Sequence, residues 1–175
     1  MKVDPSRLHR LFYPQVPLVL CARLGSRVSA MPVVAYVPIS DSPPLLGVAC
    51  GPQAFTFKLS VKAHAFSLSV LDRRSLKAME RLATVSGAKV EDKLAQVGLR
   101  YRPGSKTGAP IIADSVATIE CSLFTKHKLG DHVLLVGRVE SSYASEDFSD
   151  FWDFGKYKPI LYTGWRDGMT TYVEG

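Results

Sequence analysis

Three places in the 175-residue chain gather residue types that can do chemistry. The first is His132, in the stretch Lys126–Ser142, KHKLGDHVLLVGRVESS. Gly130 and Asp131 are turn formers, and the flanking runs TIECSLFT and HVLLVGRVE suit strands, so a long hairpin is expected over Ala117–Tyr143. His132 then opens a strand otherwise built of Val and Leu. An imidazole there can donate a hydrogen bond or carry a proton, and it can equally be an ordinary surface or core residue. The second place is VACGPQAFTF, residues 48–57. A strand ends, a Gly51-Pro52 corner follows, and a helix is expected from about Gln53. Open N–H groups at a helix N-terminus make a seat for an anion, and Thr56 in the first turn adds a hydroxyl, which suits a single phosphate group. A plain capping turn accounts for the same residues. The third place is the cysteine set, Cys21, Cys50 and Cys121. The spacing holds no CxxC and no Cys/His metal pattern, so no metal site is expected. Cys121 alternates with Ile119 and Leu123 and reads as core. Cys50 stands at the strand end beside the corner, where packing is a better role for it than redox chemistry.

Other chemistry is excluded by what the chain lacks. No GxSxG nucleophile turn accompanies the histidines, which argues against Ser/His/Asp hydrolysis. No GxGxxG follows a strand and no GxxxxGK[ST] occurs, so a nucleotide would be held without a Rossmann or P-loop cradle.

The elements that must position these residues are mostly strands. DPSRLHRLF reads as a short helix capped by Asp4. VPLVLCARLG is a strand ending at a Gly25-Ser26 turn. RVSAMPVVAYVPIS reads as a second strand, with Pro32 implying an edge, bulge or break. DSPP is a loop and LLGVAC a third, buried strand. The next helix has Phe55, Leu59 and Lys62 at helical spacing, and AFSLSVL is a fourth strand. Asp72 caps a better helix whose face is Leu76, Met79, Leu82 and Ala83. KVEDKLAQVG is a short helical turn, Arg102–Pro110 a loop, SEDFSDFWDFGKY an acidic-aromatic stretch, and KPILYTGW a closing strand. Strands in hairpin succession with two or three short helices inserted predict one domain over residues 1–175: mainly β, an antiparallel barrel with helical decorations.

Composition narrows the partners. The formal charge is +6, but the densest basic group, Arg100, Arg102 and Lys106, is too thin for a nucleic-acid surface and reads as a solvated loop. No apolar run reaches the ~20 residues of a membrane helix. No signal-type segment opens the chain, and the cysteine count is odd, so a cytoplasmic protein with reduced thiols is expected. The chain contains no asparagine, which fits a heat-adapted source and equally a codon bias.

Four ordered segments resemble the flavin reductase-like, FMN-binding split-barrel family, the group that includes flavoredoxin and the ferric and flavin reductases. They are YPQVPLVLCAR…SRVSAMPVVAYVPISDSPPLLGVAC, with SAMP at Ser29–Pro32 and the double proline Pro43-Pro44; FTFKLSVKAHAFSLSVL, similar to the family's Thr-bearing helix and strand; GAKVEDKLAQVGL, with Lys93 as the matching lysine; and the GDH hairpin ATIECSLFTKHKLGDHVLLVGRVE. YKPILYTG matches the closing strand, so the resemblance runs from about Leu11 to Trp165. Two positions depart from it. Ser29 stands where the family often has Asn, and Gln53 occupies the neighbourhood of a basic residue that some members place before the Thr.

The resemblance implies an antiparallel split β-barrel that binds FMN. It implies cofactor contacts from Ser29, Ala30, Met31, Cys50, Gly51, Gln53, Thr56 and Lys93, with His132 beside the flavin ring in a positional or electrostatic role. It also implies NADH or NADPH as a transient co-substrate, a homodimer, and onward electron transfer to a small acceptor or a redox partner protein. Three activities stay open: an NAD(P)H-dependent flavin or ferric reductase, a non-enzymatic FMN electron carrier, and a flavin-less interaction module. The aromatic stretch Phe148–Phe154 is expected to supply a dimer contact or lid, or to pack on its own barrel.

Overall fold

The computed structural model describes residues 2–166 and 169–175. A 3₁₀ helix over Pro5–Phe12 leads into β1 (Leu18–Leu24), β2 (Arg27–Val33), β3 (Tyr36–Asp41) and β4 (Pro44–Cys50). Then come α1 (Phe55–Ala63), β5 (Ala65–Val70), α2 (Leu76–Thr84) and α3 (Lys93–Val97). The chain closes with β6 (Tyr101–Pro103), β7 (Pro110–Ile112), the long hairpin β8 (Ala117–Leu129) and β9 (His132–Ala144), and β10 (Ile160–Arg166) with β11 (Met169–Glu174).

Seven strands form one antiparallel sheet in the order β2-β1-β5-β8-β9-β4-β3. Its two edges, β2 and β3, are neighbours in the chain with only Val34 and Ala35 between them. Laid flat, seven strands at about 4.8 Å spacing would hold the edges roughly 29 Å apart. The link from Val33 to Tyr36 reaches at most about 11 Å. The sheet therefore rolls into a barrel that stays open between β2 and β3. Ala49 donates to the Ala35 carbonyl at 2.8 Å and pins the link to β4.

This split corrects the expectation of one strand across RVSAMPVVAYVPIS. Nothing in the residues at Val34-Ala35 announces a break; the closure imposes it. Pro32 does sit on an edge strand, as a proline requires. On that edge the Val28 N–H points away from β1 to the Glu91 carbonyl at 2.9 Å. Two-residue alternation puts the backbones of Ala30 and Pro32 on the same open side, so the missing N–H of Pro32 removes no ladder bond.

β1 is apolar on both faces because both are covered. Leu18 and Leu20 join Phe57, Phe66, Leu68 and Leu135 in an inner cluster, and Val19 and Cys21 join Met79, Leu82, Leu94 and Ile160 in an outer one. Phe66 lies so close over β9 that a Cβ at Gly137 would come within 2.5 Å of its ring. The expected α2 face holds: Met79 and Leu82 are buried, and Leu76 and Ala83 pack beside them. Asp72 accepts from the Arg74 N–H, capping the 3₁₀ turn that precedes α2.

Other expectations need correction. α1 begins at Phe55, two residues later than expected, and buries Thr56, Phe57, Leu59 and Ser60 rather than a Phe55–Leu59–Lys62 stripe. The Arg102–Pro110 loop is a hairpin, β6 to β7, whose tip is tied to buried Glu120. The closing strand is followed by another, β11. Within the acidic-aromatic stretch Trp152 packs on Phe148 and Tyr157, and Trp152, Phe154 and Tyr157 cover an apolar cavity of about 370 Å³ over Leu18, Leu46 and Leu68. Phe151 points outward, 83% exposed. No helix among the described residues is long and apolar enough to cross a membrane.

Candidate functional site

Two cavities adjoin at the split. The first, about 490 Å³, lies between the β2 edge, the start of α1 and the segment after α2. The second, about 530 Å³, lies under the N-terminal 3₁₀ helix and reaches His132. Val34, in the two-residue link, lines both. Their walls also meet where Tyr13 of the second packs edge-on against Tyr162 of the first, ring centroids 4.8 Å apart.

The first cavity is built around donors. α1 starts behind Ala54, which offers no side-chain cap, although Ser, Thr, Asp and Asn are the residues that satisfy first-turn N–H groups. Ala54, Phe55 and Thr56 line the cavity, and the N–H groups of Phe55 and Thr56 are available to an acceptor that the helix does not supply. Thr56 Oγ1 lies 2.8 Å from Ser29 Oγ, and both side chains are buried. Gly87 closes down over this pair: a Cβ there would collide with Ser29 Oγ and crowd the Phe55 ring. Arg27 fastens that wall. Its guanidinium donates to the carbonyls of Gly87 and Ala88, both at 3.2 Å, and sits over the Phe55 ring at 5.0 Å.

Lys93, the first residue of α3, completes the donor set. It is only 4% exposed, and its Nζ donates to the Leu82 carbonyl at 2.8 Å. Burial pushes its pKa down to about 8, with the Cys21 thiol opposing slightly. Burial likewise pushes Cys21 up to about 12. A cation so placed, on a cavity wall and, among the described residues, bonded to one carbonyl and to no carboxylate, favours an incoming anion.

In the second cavity the polar groups are His9, Tyr13, Gln15 and His132. His132 is half exposed, and its Nδ1 lies 2.8 Å from Asp131 Oδ1. That hydrogen bond and the imidazole charge hold the Asp131 carboxyl below the usual range.

Of the residues expected at the site, Met31, Gln53, Thr56 and Lys93 line the first cavity, and Ser29 stands behind it through its bond to Thr56. Ala30, Cys50 and Gly51 do not reach its lining either. The Ala30 side chain is in the outer core cluster, which leaves that residue its edge backbone alone. Cys50 is in the inner cluster, its thiol pushed up to about 12 by burial. Gly51 forms the turn, accepting from the Ala54 N–H at 3.0 Å. His132 belongs to the second cavity, across Val34 from the first. Sequence reading passed over Arg27, Phe55, Gly87, His9, Tyr13, Tyr162 and Tyr172. Ser86-Gly87 after a helix was a visible signal, but it reads first as a helix stop.

The donor set is chemically coherent: two hydroxyls, an ammonium and a helix N-terminus at one end, with Met31, Tyr162 and Tyr172 for apolar area. Among the described residues no group of His, Cys, Asp and Glu can hold a metal ion.

Comparison with known proteins agrees with this geometry. Residues 9–162 match the family model described as a flavin reductase like domain. A relative from Aeropyrum pernix, carrying no functional name, is 32% identical over 164 residues, 93% of this chain, which spans only 62% of that protein's length. An NADH-dependent FAD reductase of Streptomyces globisporus is 30% identical over 142 residues, 78% of this chain and 76% of that one. Among solved structures, an FMN-binding protein of Thermus thermophilus with bound 1-cyclohex-2-enone superposes with a TM-score of 0.79 at 32% identity, over 98% of this chain and 92% of that one. The rolled, split antiparallel sheet and the motif order along it have one reading: the chain belongs to the flavin reductase-like family.

Proposed function

We propose that the protein binds FMN at the split and works as an NAD(P)H-dependent flavin oxidoreductase. The observation that carries this reading is the buried, under-partnered ammonium of Lys93 on the same cavity as an uncapped helix start. Thr56, Lys93 and the first-turn N–H groups of α1 would hold the phosphoryl end, each giving a charge-assisted hydrogen bond. Ser29 orients the Thr56 hydroxyl from behind, and Gly87 leaves room for that contact. Met31, Tyr162 and Tyr172 exclude water from the apolar part of the ligand.

A bound flavin supplies the hydride chemistry itself. The chain supplies orientation and charge. The Asp131 carboxylate accepts from Nδ1 of His132, so in the protonated ring Nε2 is the atom left to donate toward negative charge developing nearby. NADH fits as the reductant because a similar reductase uses it. A small acceptor or a redox partner protein would take the electrons onward.

A homodimer belongs to this reading. Val37 and Ile39 on the edge strand β3, and Phe124 and Leu129 on the long hairpin, are large apolar side chains 45–60% exposed, as a self-complementary two-fold interface would need. The three cysteines are free and buried, which suits the reducing cytoplasm.

The test is spectroscopic. Purified protein should be yellow, with bands near ~370 and ~450 nm, and should bleach promptly on anaerobic mixing with NADH or NADPH. Colour without bleaching would make it an electron carrier. A colourless protein that takes up no FMN would leave an interaction module.

A further inference from the structure

Three consecutive residues of the edge strand β2 each hold a different piece of the phosphate seat. Ser29 Oγ lies 2.8 Å from Thr56 Oγ1. The Val28 N–H donates at 2.9 Å to the carbonyl of Glu91, two residues before Lys93. The third piece is the turn 86–89, closed by the Lys89 N–H donating to the Ser86 carbonyl at 3.1 Å. Arg27 holds it. Its Nη2 donates to the Gly87 and Ala88 carbonyls, and its guanidinium sits over the ring of Phe55, the first residue of α1. The turn is thereby tied to the uncapped helix start. The direction of these bonds matters. A trans peptide points its C=O and its N–H to opposite sides. Arg27 draws the Gly87 carbonyl away from the first cavity, whose lining includes Gly87 and Ala88 but not Arg27. The N–H of that peptide belongs to Ala88. It therefore faces the cavity, and among the described residues it has no backbone partner. Gly87 is buried against Ser29, and Thr56 and Lys93 keep only 3% and 4% exposure, so the donors lie at a closed end of the cavity rather than on its rim.

We infer that Arg27 is a positioning residue: it clamps the turn 86–89 over the seat, aims the Ala88 N–H at the anion, and so shapes the site for a terminal phosphate monoester, FMN in preference to FAD. The inference rests on the flavin reading and deepens it. A monoester phosphate ends its ligand, and its free oxygens can be met on several sides by the Thr56 hydroxyl, the Lys93 ammonium and backbone N–H groups. The corresponding phosphate of FAD has one more oxygen esterified and carries less charge. It must also lead an adenosine group out past the clamped turn, so it gives up donors or forces the turn open. The selectivity therefore belongs to the clamp and not to Thr56 or Lys93, which meet either phosphate.

The experiment titrates the full chain, freed of flavin, with FMN, FAD and riboflavin by calorimetry, and follows the Ala88 amide by NMR. The native protein should bind FMN at least about tenfold tighter than FAD. FMN should move the Ala88 amide proton downfield, and riboflavin should not. Arg27→Met keeps an aliphatic stem over Phe55 and removes both donors. It should weaken FMN roughly tenfold, leave riboflavin unchanged, and bring FMN and FAD close to parity. Arg27→Lys restores a donor and should recover part of the preference for FMN. A residue that only stabilised the fold would weaken all three flavins alike. Equal affinity of the native protein for FMN and FAD, an Ala88 amide that does not respond to the phosphate, or an unchanged FMN-to-riboflavin ratio in Arg27→Met would overturn the inference. Failure of the flavin reading looks different: none of the three flavins would bind. Phenyl phosphate titrated into the same protein then decides the clamp alone. An Ala88 shift that Arg27→Met abolishes upholds it, and no shift, or the same shift in the variant, removes it.

Discussion

Lys93 and Glu120 are both almost fully buried, at 4% and 0% exposure, yet the fold supplies them very differently. Glu120 is saturated. Its Oε2 accepts from the N–H groups of Lys106 and Thr107 and from the Thr107 hydroxyl, at 3.2, 3.0 and 2.9 Å, and its Oε1 accepts from Tyr143 at 2.9 Å. Burial alone would raise its pKa, but these bonds outweigh burial and lower it. Lys93 has one carbonyl, and burial wins. Lowering its pKa from 10.5 to about 8 corresponds to roughly 3 kcal/mol against the ammonium. A buried charge satisfied from within the fold is a fastener; one left short of counter-charge on a cavity wall is a seat for a ligand.

Variants can break or sharpen this contrast. The largest effect is expected from Glu120→Ala, which strands several donors at the β6–β7 tip and should cost about 3 kcal/mol of stability by urea denaturation, with FMN affinity unchanged. Lys93→Met should do the reverse: FMN binding weaker by about 2 kcal/mol in fluorescence titration, with stability at neutral pH unchanged or raised. Thr56→Val follows, at about 1 kcal/mol of FMN affinity, and an unaltered Kd would remove Thr56 from the phosphate seat. Smallest in binding is His132→Ala. It should leave FMN affinity nearly intact and slow anaerobic bleaching in stopped flow, and equal bleaching rates would strike His132 from the site.

The pH dependences of the two charges run on opposite sides of neutrality. Glu120 has a folded pKa below its ordinary value, so the stability it contributes is present above about 4.5 and is lost as pH falls through the folded value. Lys93 has a folded pKa below its ordinary value too, but it is a base. The cost of its buried charge is fully present below about 8 and is relieved as pH rises toward 10.5, where the unfolded chain still holds a proton that the folded one has released. Thermal unfolding of the flavin-free protein between pH 8 and 10.5 should therefore show a stabilising contribution that Lys93→Met lacks.

Much of this architecture was legible in the residues. Gly130-Asp131 between two β-rich runs fixes the long hairpin, Pro32 marks β2 as an edge, and the Leu76–Ala83 spacing gives the packed face of α2. The split was not legible, because Val34-Ala35 carries no turn chemistry and breaks the strand only when the rolled sheet forces it. Site residues divide in the same way. Thr56 and Lys93 stand in ordered motifs. Arg27, Gly87 and Tyr162 are ordinary residues in sequence, gathered by contacts across 60 or more positions such as the one from Arg27 to Gly87. Glu120 looked like one more strand residue, since its partners arrive from loops that have no local relation to it.

Calorimetry of FMN binding near pH 9, in two buffers of different ionisation enthalpy, tests the Lys93 seat most directly. A phosphate settling on Lys93 must restore its proton, so FMN should bind with proton uptake, and its affinity should fall as pH rises beyond about 8. Riboflavin, lacking the phosphate, should show neither effect, and Lys93→Met should abolish both. FMN that binds the native protein with no proton uptake, or riboflavin that matches it in uptake and pH profile, would contradict the assignment of Lys93 as the phosphate's counter-charge.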